Sequence, residues 1–441
     1  MTRKMIGLIV AYAFPPTGGA GVQRLSKLAK YLPLYDIEPQ ALTVSNPSVP
    51  LMDPTLTADL PSGMLVTTAR TLEPSYRSKQ SAWEIASVAS PSVRQRLARL
   101  ATTAVRHLAF PDVQVLWLPG AWLALRGLMR GADSPDVVFI SGPPFSPFLL
   151  SASARRQGAA VVLDYRDEWR LIREQMEMTR SHLSIWFGDR LEASVLARAH
   201  MVTTATEEYR VSLLERFPFL RPEQVVMVPN GFDPSDFPAQ LRTQPPDRFR
   251  VTFAGTVYRV NRPSGLLAAV REVHRLDPDL ASLLELRFIG RVVESEKDAL
   301  RAMESHGVTM RPYMAHRELL DELSSSHLTL CILDDVPGAD RIYPGKVFEL
   351  MYLGRPCLIL CPDGALARLV TETHLGTRFH PDDVSGITSY LLDCLRSFRD
   401  APAVCRSEVS DEVSRFDRRV TAGVFASTMR AALAAASRRP S

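Results

Sequence analysis

Cysteine is scarce in this chain of 441 residues, and the few that occur suggest no disulfide framework. They are Cys331, Cys357, Cys361, Cys394 and Cys405, all in the second half and none in a C-x-x-C pair. So sparse and odd a set argues against a disulfide-stapled fold and for a reducing compartment, so we expect a cytoplasmic protein. Cys357 and Cys361 bracket an apolar run and are interpreted as core residues.

Long apolar runs are also missing. No run reaches the roughly 18 residues that span a bilayer, and the nearest, residues 116–129, is broken by proline, glycine and arginine. The N-terminus has two basic residues followed by an apolar stretch, as a short signal peptide does, but no small-x-small cleavage site precedes Pro15-Pro16. We therefore interpret residues 5–14 as a buried first strand.

Neither sign of charge dominates, since 52 Lys and Arg residues stand against 48 Asp and Glu residues, for a net charge of +4. No basic run with interleaved aromatics occurs, so we expect no nucleic-acid partner. The mild basicity suits anionic small ligands or an acidic membrane surface. The amphipathic segment 92–110 is interpreted as a packed helix with a solvated arginine face; the alternative is peripheral contact with the inner face of an anionic membrane.

Metal and cofactor motifs are absent from the sequence. There is no H-E-x-x-H, no Cys/His ligand set, no P-loop and no G-x-S-x-G elbow. The D-P-D at residues 277–279 is interpreted as a turn. From Gly19 the chain reads G-A-G-V-Q-R, so Arg24 stands where a dinucleotide fingerprint has its third glycine. We predict no metal and no resident cofactor.

What the sequence does contain is a regular alternation of short apolar runs with amphipathic helical stretches. The strand candidates are residues 5–14, 38–44, 136–141, 159–165 and 200–206 in the first half, and 249–255, 284–290, 327–333 and 356–362 in the second. This pattern predicts an α/β fold with two doubly wound, Rossmann-like domains, residues 1–237 and 246–415, facing each other across a cleft. A helix at 416–441 follows, which we expect to pack back on the first domain.

One helical stretch, residues 343–356, combines an apolar core pattern with two charges. Lys346 and Glu349 lie three residues apart among large apolar side chains, and Gly354 and Pro356 form a stop signal. The two charges form either a surface salt bridge on one helix face or a pair that points at a ligand.

Several segments, taken in order, resemble the GT-B glycosyltransferases, specifically the retaining family 4 and its cell-surface-polysaccharide branch. The matching segments are residues 14–44, 110–122, 135–150, 161–169, 202–209, 228–233, 253–270 and 343–360. The resemblance implies an enzyme that moves a sugar from a nucleoside diphosphate sugar, of UDP or GDP type, to an acceptor hydroxyl. The acceptor would be a glycan, a lipid-linked sugar or a small molecule. The first domain would bind the acceptor and the second the donor.

The resemblance, together with the glycine-rich turn before the first helix, predicts a set of donor-binding residues, in which Arg24 either meets an anion or is a surface arginine of that helix. They are Gly18, Gly19, Arg24, Gly255, Thr256, Arg259, Arg262, Arg341, Lys346 and Glu349. Thr256 stands where the family has an arginine of its cationic clamp, and Arg262 matches the lysine of that clamp, with Arg259 or Lys346 as substitutes for the missing cation. Such cations stabilise the leaving diphosphate without a metal.

The family's E-x7-E motif is half present. Glu349 matches the second glutamate, which holds ribose hydroxyls, whereas Arg341 stands at the position of the first, which contacts the sugar. The donor sugar therefore stays open. Arg262, Lys346 and Asp167 are the predicted catalytic residues.

On the acceptor side, polar residues follow two predicted strands, where ligands of parallel sheets bind. Ser141 and Gly142 close one strand, and Asp164, Arg166 and Asp167 follow the next. Asp167 is interpreted either as a base for the acceptor hydroxyl or as a structural partner of Arg166. A nucleotide-sugar epimerase and a non-catalytic nucleotide-sugar-binding subunit are the alternative functions.

Overall fold

A computed structural model of the chain describes residues 3–49, 52–76, 110–175, 182–401 and 410–438. Most of the amphipathic segment 92–110 and Cys405 lie outside these residues, so the predictions made for them are not taken further. The chain divides into two compact units, Met1–Pro229 with Thr421–Ser441, and Asn230–Val420.

The first unit is built on a seven-stranded parallel sheet. Its strands are β1 (Met5–Val10), β2 (Ile37–Val44), β3 (Val66–Ala69), β4 (Val137–Gly142), β5 (Ala160–Tyr165), β6 (Met201–Thr204) and β7 (Val225–Met227). They are ordered β3-β2-β1-β4-β5-β6-β7. Because the direction of winding reverses between β1 and β4, the carboxyl ends of these two strands form a topological switch point, where ligands of such sheets bind.

Helices cover both faces of this sheet. The described helices are α1 (Ala20–Tyr31), α2 (Leu118–Leu128), α3 (Ser151–Arg156), α4 (Trp169–Gln175), α5 (His182–Leu196) and α6 (Glu207–Arg216). Alternate residues of β1 enter different cores: Leu8 and Val10 join one apolar cluster, and Ile9 joins another. Since successive strand side chains point to opposite faces, both faces are buried, which explains the continuously apolar strand.

The second unit is built on a six-stranded parallel sheet. Its strands are β8 (Phe249–Ala254), β9 (Leu284–Ile289), β10 (Val308–Arg311), β11 (Leu328–Ile332), β12 (Cys357–Leu360) and β13 (Thr377–Phe379). The order is β10-β9-β8-β11-β12-β13, so the winding reverses between β8 and β11. The predicted α/β architecture with two doubly wound sheets is confirmed.

The remaining described helices are α7 (Ser264–Leu276), α8 (Pro278–Ala281), α9 (Glu294–Arg301), α10 (His316–Ser324), α11 (Lys346–Leu353), α12 (Ala365–Thr373), α13 (Val384–Asp400) and α14 (Arg418–Ser437). Asp277 accepts a hydrogen bond from the N–H of Leu280 (3.1 Å) and caps α8, so the D-P-D sequence begins a short helix where a turn was predicted. Cys357 and Cys361 are buried free thiols, as expected of core residues.

The last helix, α14, is long and apolar enough to cross a membrane by length and composition alone. In the structure its apolar side chains join a core cluster of the first unit, and the ring of Phe425 packs edge-on against Phe139 of β4 at 5.3 Å between centroids. The part from Thr421 onwards belongs to the first unit.

The units differ from the predicted domain ranges at their boundary. The first unit ends at Pro229 rather than at residue 237. Phe232 explains the difference, because its N–H donates to the carbonyl of Phe416 (3.1 Å) and its carbonyl accepts from the N–H of Arg418 (2.8 Å), both in the second unit. The polar stretch 238–250, predicted as a linker, accordingly lies within the second unit.

Candidate functional site

The carboxyl ends of β8 and β11 form the switch point of the second sheet. Except for Arg24, which lies in the first unit, the charged residues predicted for donor binding follow these two strands in the chain. Lys346 is the first residue of α11, which follows the loop after β11. Its Nζ donates to the carbonyl of Ala254 at the end of β8 (3.1 Å) and lies 3.3 Å from the centroid of the Phe253 ring. The ammonium group is thereby held at the strand end.

The surroundings of Lys346 disfavour its charge in the absence of a ligand. Burial lowers the pKa of Lys346 to about 8, against the opposing influence of Cys331 and Cys357. An anion placed beside the ammonium group stabilises the charged form. The site is therefore electrostatically prepared for a negatively charged ligand such as a diphosphate.

Local sequence explains how α11 presents this lysine. Val347, Phe348 and Leu350 are buried, which fixes one face of the helix in the core. The helix ends at Gly354, whose φ of 66° is the left-handed conformation that glycine adopts readily, as the stop signal predicted. Helical spacing then places Lys346 and Glu349 on the same side of α11.

Two glycines allow the loop after β8 to pass close to its neighbour. Gly255 has a φ of 131° and Gly290 a φ of 128°, both in the region that favours glycine. A Cβ atom on Gly290 would overlap the carbonyl oxygen of Gly255. The backbone beside the Lys346 ammonium group is therefore shaped by the absence of a side chain at position 290.

Gly290→Ala is expected to destabilise the fold by about 1–3 kcal/mol, because alanine is strained at this φ and must displace Gly255. Differential scanning fluorimetry should show a lower Tm and, because the loop shifts, less stabilisation by UDP or GDP. Gly127→Ala in α2, where a Cβ meets no atom within 4 Å, is the control and should change the stability by less than about 1 kcal/mol. Equal melting temperatures for the two variants would contradict this role of Gly290.

An ion pair joins the loops after β8 and β11. Arg262 Nε donates to Asp334 Oδ2 (2.8 Å), and the N–H of Asp334 donates to the carbonyl of Val260 (2.7 Å). The Arg262 side chain remains 47% exposed, and a guanidinium group carries further donors beyond Nε. Arg262 is thus oriented by Asp334 while much of its side chain stays exposed, and its role in donor binding stays a prediction. Arg259 is exposed in the same loop, and Thr256 is partly buried.

Glu349 is paired with a residue that the sequence did not reveal. Its Oε1 accepts from Nε2 of His316, the first residue of α10 (2.7 Å). One interpretation of that helix was a salt bridge between Lys346 and Glu349, and it is wrong. Lys346 binds the carbonyl of Ala254 and Glu349 binds His316. No motif surrounds His316 in the sequence, and its position became apparent only through contact with α11.

Arg341 ends a short 3-10 helix, Ala339–Arg341, in the loop after β11 and is partly buried. The adjacent Asp340 lies against the turn before α12, where a Cβ on Gly364 would overlap the Asp340 backbone. Arg341, which stands where the resemblance predicts a carboxylate, therefore lies in a loop that packs against the turn at Gly364.

In the first unit, Arg166 joins three elements at the β1–β4 switch point. Its Nε donates to the carbonyl of Gly142 (3.2 Å), and its Nη2 donates to the carbonyl of Pro143. The guanidinium group also lies across the first turn of α1, where a side chain on Gly21 would overlap it. Burial lowers the pKa of Arg166, and the carboxylates of Asp164 and Asp167 oppose that shift.

The glycine turn before α1 belongs to the same end of the sheet. Gly19 is the N-cap of α1 with a φ of 116°, and a Cβ there would meet no atom within 4 Å. Gly18 precedes it and is partly buried. The first turn of α1 contains no acidic side chain, so its N–H groups keep their positive field.

Asp167 is exposed beside Arg166. Desolvation by the surrounding protein raises the pKa of Asp167, while the guanidinium groups of Arg166 and Arg24 act in the opposite direction. A raised pKa is the change that suits a base or proton acceptor working near neutral pH.

Three predicted ligand contacts are corrected. Arg24, Asp164 and Ser141 are at most 2% exposed and bind one another: Asp164 accepts from Arg24 Nη2 (3.1 Å) and from Ser141 Oγ (2.7 Å). Thr203 Oγ1 also donates to Asp164 (2.8 Å). These buried side chains therefore bind one another and stabilise the ends of the strands in the interior, where a substrate does not reach them.

A second residue missed by the sequence argument shapes the loop after β4. Asp112 Oδ2 accepts from the N–H groups of Phe145 (2.6 Å) and Ser146 (3.0 Å). Burial raises the pKa of Asp112, while these hydrogen bonds oppose the shift. Asp112 thus fixes the path of the chain just after Gly142. The only signal was its place in the segment 110–122.

In the first unit, three carboxylates surround the guanidinium group of Arg216 on α6. Arg216 binds Glu192 (2.7 Å) and Asp189 (3.0 Å), and Glu168 lies 3.7 Å away. Burial raises the pKa of Glu192 to about 7, although Arg216 opposes the shift. Burial, assisted by the negative charges of Asp189 and Glu168, therefore makes the protonated form of Glu192 favourable below neutral pH.

The free energy of unfolding should therefore fall as the pH rises from about 4.5 to 7, because the folded state binds the extra proton in that window. The slope contributed by Glu192 is up to about 1.4 kcal/mol per pH unit. Glu192→Gln should remove that contribution in urea titrations at successive pH values. The exposed Glu215→Gln is the control, and an unchanged slope in Glu192→Gln would exclude Glu192 as the titrating group.

Comparison with known proteins gives these clusters a context. Residues 65–231 match the family model described as a glycosyl transferase 4-like domain. Over these residues the chain is similar to that domain. A search of curated proteins finds no significant match.

Solved structures match this chain over nearly its whole length. Sucrose-phosphate synthase from Thermosynechococcus elongatus is 13% identical, with a TM-score of 0.60 over 97% of this chain and 98% of the other. Anabaena HepE in complex with UDP and glucose is 14% identical, with a TM-score of 0.57 over 97% and 99%. A putative UDP-N-acetylglucosamine 2-epimerase from Listeria monocytogenes is 12% identical, with a TM-score of 0.53 over 96% and 95%. The predicted GT-B fold is confirmed.

Proposed function

We propose that the protein transfers a sugar from a nucleoside diphosphate sugar to an acceptor hydroxyl and keeps the anomeric configuration. The observation that carries this proposal is the cluster at the carboxyl ends of β8 and β11. There, the Lys346 ammonium group of lowered pKa, the half-exposed Arg262 and the carboxylate of Glu349 are each oriented by a protein partner. Two cations suit a diphosphate, and a carboxylate suits a ribose diol.

The proposed reaction breaks the bond between the anomeric carbon and the diphosphate oxygen and forms a bond to the acceptor oxygen on the same face of the sugar. Lys346 and Arg262 stabilise the charge that develops on the leaving diphosphate, so we propose that no metal is needed. The acceptor proton passes to the leaving diphosphate; Asp167 is the second candidate for this proton because its pKa is raised. UDP and GDP sugars are the proposed donors, and a glycan, glycolipid or metabolite is the proposed acceptor.

The alternatives are an epimerase of the same fold, a reaction named for one of the similar solved structures, and a non-catalytic nucleotide-sugar-binding subunit. Incubation with a panel of UDP and GDP sugars, with and without acceptor extracts, distinguishes the three. A transferase releases the nucleoside diphosphate in proportion to added acceptor, whereas an epimerase releases it without one. Thermal stabilisation by UDP or GDP with no turnover of any donor would contradict the enzyme proposal.

A further inference from the structure

One imidazole of the second unit lies between two carboxylates. His316 Nε2 is 2.7 Å from Glu349 Oε1 on α11, and His316 Nδ1 is 3.9 Å from Asp236 Oδ2. The first distance is a strong hydrogen bond to a charged acceptor, whereas the second acts through the electrostatic field. His316 and Asp236 are each at most 9% exposed, so this arrangement is part of the packed interior.

The segment that carries Asp236 is anchored to the same helix as Glu349. Phe232 stacks on Tyr352 of α11 at 4.5 Å between centroids, and Phe237 packs edge-on against the same ring at 4.7 Å. Asp236 lies between these two aromatic residues in the chain, and Tyr352 lies three residues after Glu349. One helix therefore fixes both carboxylates relative to the imidazole.

We propose that His316 is a positioning residue for ribose recognition, which rests on the function proposed above. A glutamate side chain has three rotatable bonds, and ordering it on ligand binding costs conformational entropy. The bond from His316 Nε2 removes that freedom in advance and leaves the second carboxylate oxygen, Oε2, to accept from ribose hydroxyls. Because the ionised carboxylate of Glu349 can only accept, Nε2 of His316 carries the proton of this hydrogen bond.

The test compares the affinities for a nucleoside diphosphate and its 2′-deoxy counterpart by isothermal titration calorimetry, with UDP and GDP as the two probes. The intact chain should bind the ribonucleotide at least about tenfold more tightly, because the deoxy form leaves a charged acceptor without its hydroxyl partner. His316→Phe, which keeps the ring but removes the donor, should bring this ratio close to one. It should lower the affinity for the 2′-deoxy nucleotide much less than that for the ribonucleotide, because only the 3′-hydroxyl of the deoxy form can reach the carboxylate.

Two matched variants separate positioning from folding. His316→Gln keeps a side-chain N–H donor and should retain most of the discrimination, whereas a purely structural role would make both variants behave alike. His274→Phe changes a histidine on α7 of the same unit and should leave the ratio unaltered. A wild-type ratio in His316→Phe would overturn this inference alone. If the unaltered chain binds the ribonucleotide and its 2′-deoxy counterpart equally well, Glu349 does not bind the ribose and the inference about His316 is wrong. If the chain binds neither UDP nor GDP, the proposed function itself is wrong.

Discussion

Lys346→Met should lower kcat/KM for sugar transfer by about 100- to 1000-fold. Methionine preserves the apolar stem of the side chain but removes the ammonium group that lies over the Phe253 ring and that, in the proposed reaction, stabilises the departing diphosphate. The measurement is the initial rate of nucleoside diphosphate release in the presence of acceptor. Lys297→Met on α9 removes a partly exposed lysine that is paired with Glu294, away from the candidate site, and should be neutral. A rate within threefold of wild type for Lys346→Met would refute the catalytic role.

The same lysine predicts a pH dependence of nucleotide affinity. The pKa of Lys346 is about 8 without ligand, so below pH 8 the ammonium form is already present and binding takes up no proton at this site. Above pH 8 the bound diphosphate must draw a proton onto Lys346, so affinity falls by up to about tenfold per pH unit until the pKa of the complex is reached. Calorimetry in buffers of different ionisation enthalpy should detect this proton uptake, and Lys346→Met should abolish it.

The stability of the ligand-free protein should change in the opposite direction. The folded-state pKa of about 8 lies below the ordinary value of 10.5, so the unfolded chain binds the extra proton between these two pH values. The contribution of Lys346 to the free energy of unfolding therefore rises through that window. Opposite trends for stability and for nucleotide affinity identify one lysine as the source of both.

Asp164→Ala should lower the free energy of unfolding by about 3–5 kcal/mol. The substitution leaves the buried guanidinium group of Arg24 without its counter-charge and removes the acceptor of the Ser141 and Thr203 hydroxyls. Arg24 keeps hydrogen bonds to the carbonyls of Val228 (2.9 Å) and Pro229 (2.9 Å), but these carry no full negative charge. Urea unfolding followed by circular dichroism measures the loss.

Two comparisons test the mechanism behind this loss. Asp298→Ala removes a carboxylate that is 89% exposed and paired with Arg301, so its effect should stay within about 0.5 kcal/mol. The double variant Arg24→Met with Asp164→Leu removes both charges and should recover most of the stability, because no buried charge is left unpaired. A loss below about 1 kcal/mol for Asp164→Ala would show that water or another group compensates Arg24.

Much of the fold could be predicted because the order of apolar and polar residues along the chain indicates where strands and helices form. Strands buried on both faces read as short apolar runs, and β1, β4 and β8 were identified in this way. The edge strand β3 (Val66–Ala69) was missed because it contains two threonines and has only one buried residue. The boundary near residue 230 was also missed, since it depends on backbone hydrogen bonds from Phe232 to a segment far along the chain.

For the candidate site, the location of the charged residues could be predicted from the sequence, but their exposure to a ligand could not. The resemblance and the strand-end rule indicated where Lys346, Arg262, Arg166 and Asp167 belong, and the structure describes all four at or near carboxyl ends of parallel strands. Local patterns did not show which charged residues are open to a ligand. Arg24 was predicted to meet an anion, yet its guanidinium group lies in the interior against Asp164.

Three features could be predicted from the amino-acid sequence: the alternation of strands and helices, the doubly wound class of both sheets, and the shared helix face of Lys346 and Glu349. Each of them depends on the spacing of residues that are close together in the chain. The tertiary structure alone decided the partners. Lys346 meets the carbonyl of Ala254 across 92 positions, Glu349 meets His316 across 33, and Arg24 meets Asp164 across 140. A hydrogen bond or ion pair depends on distance in space, and only the packing of strands and helices brings such distant positions together.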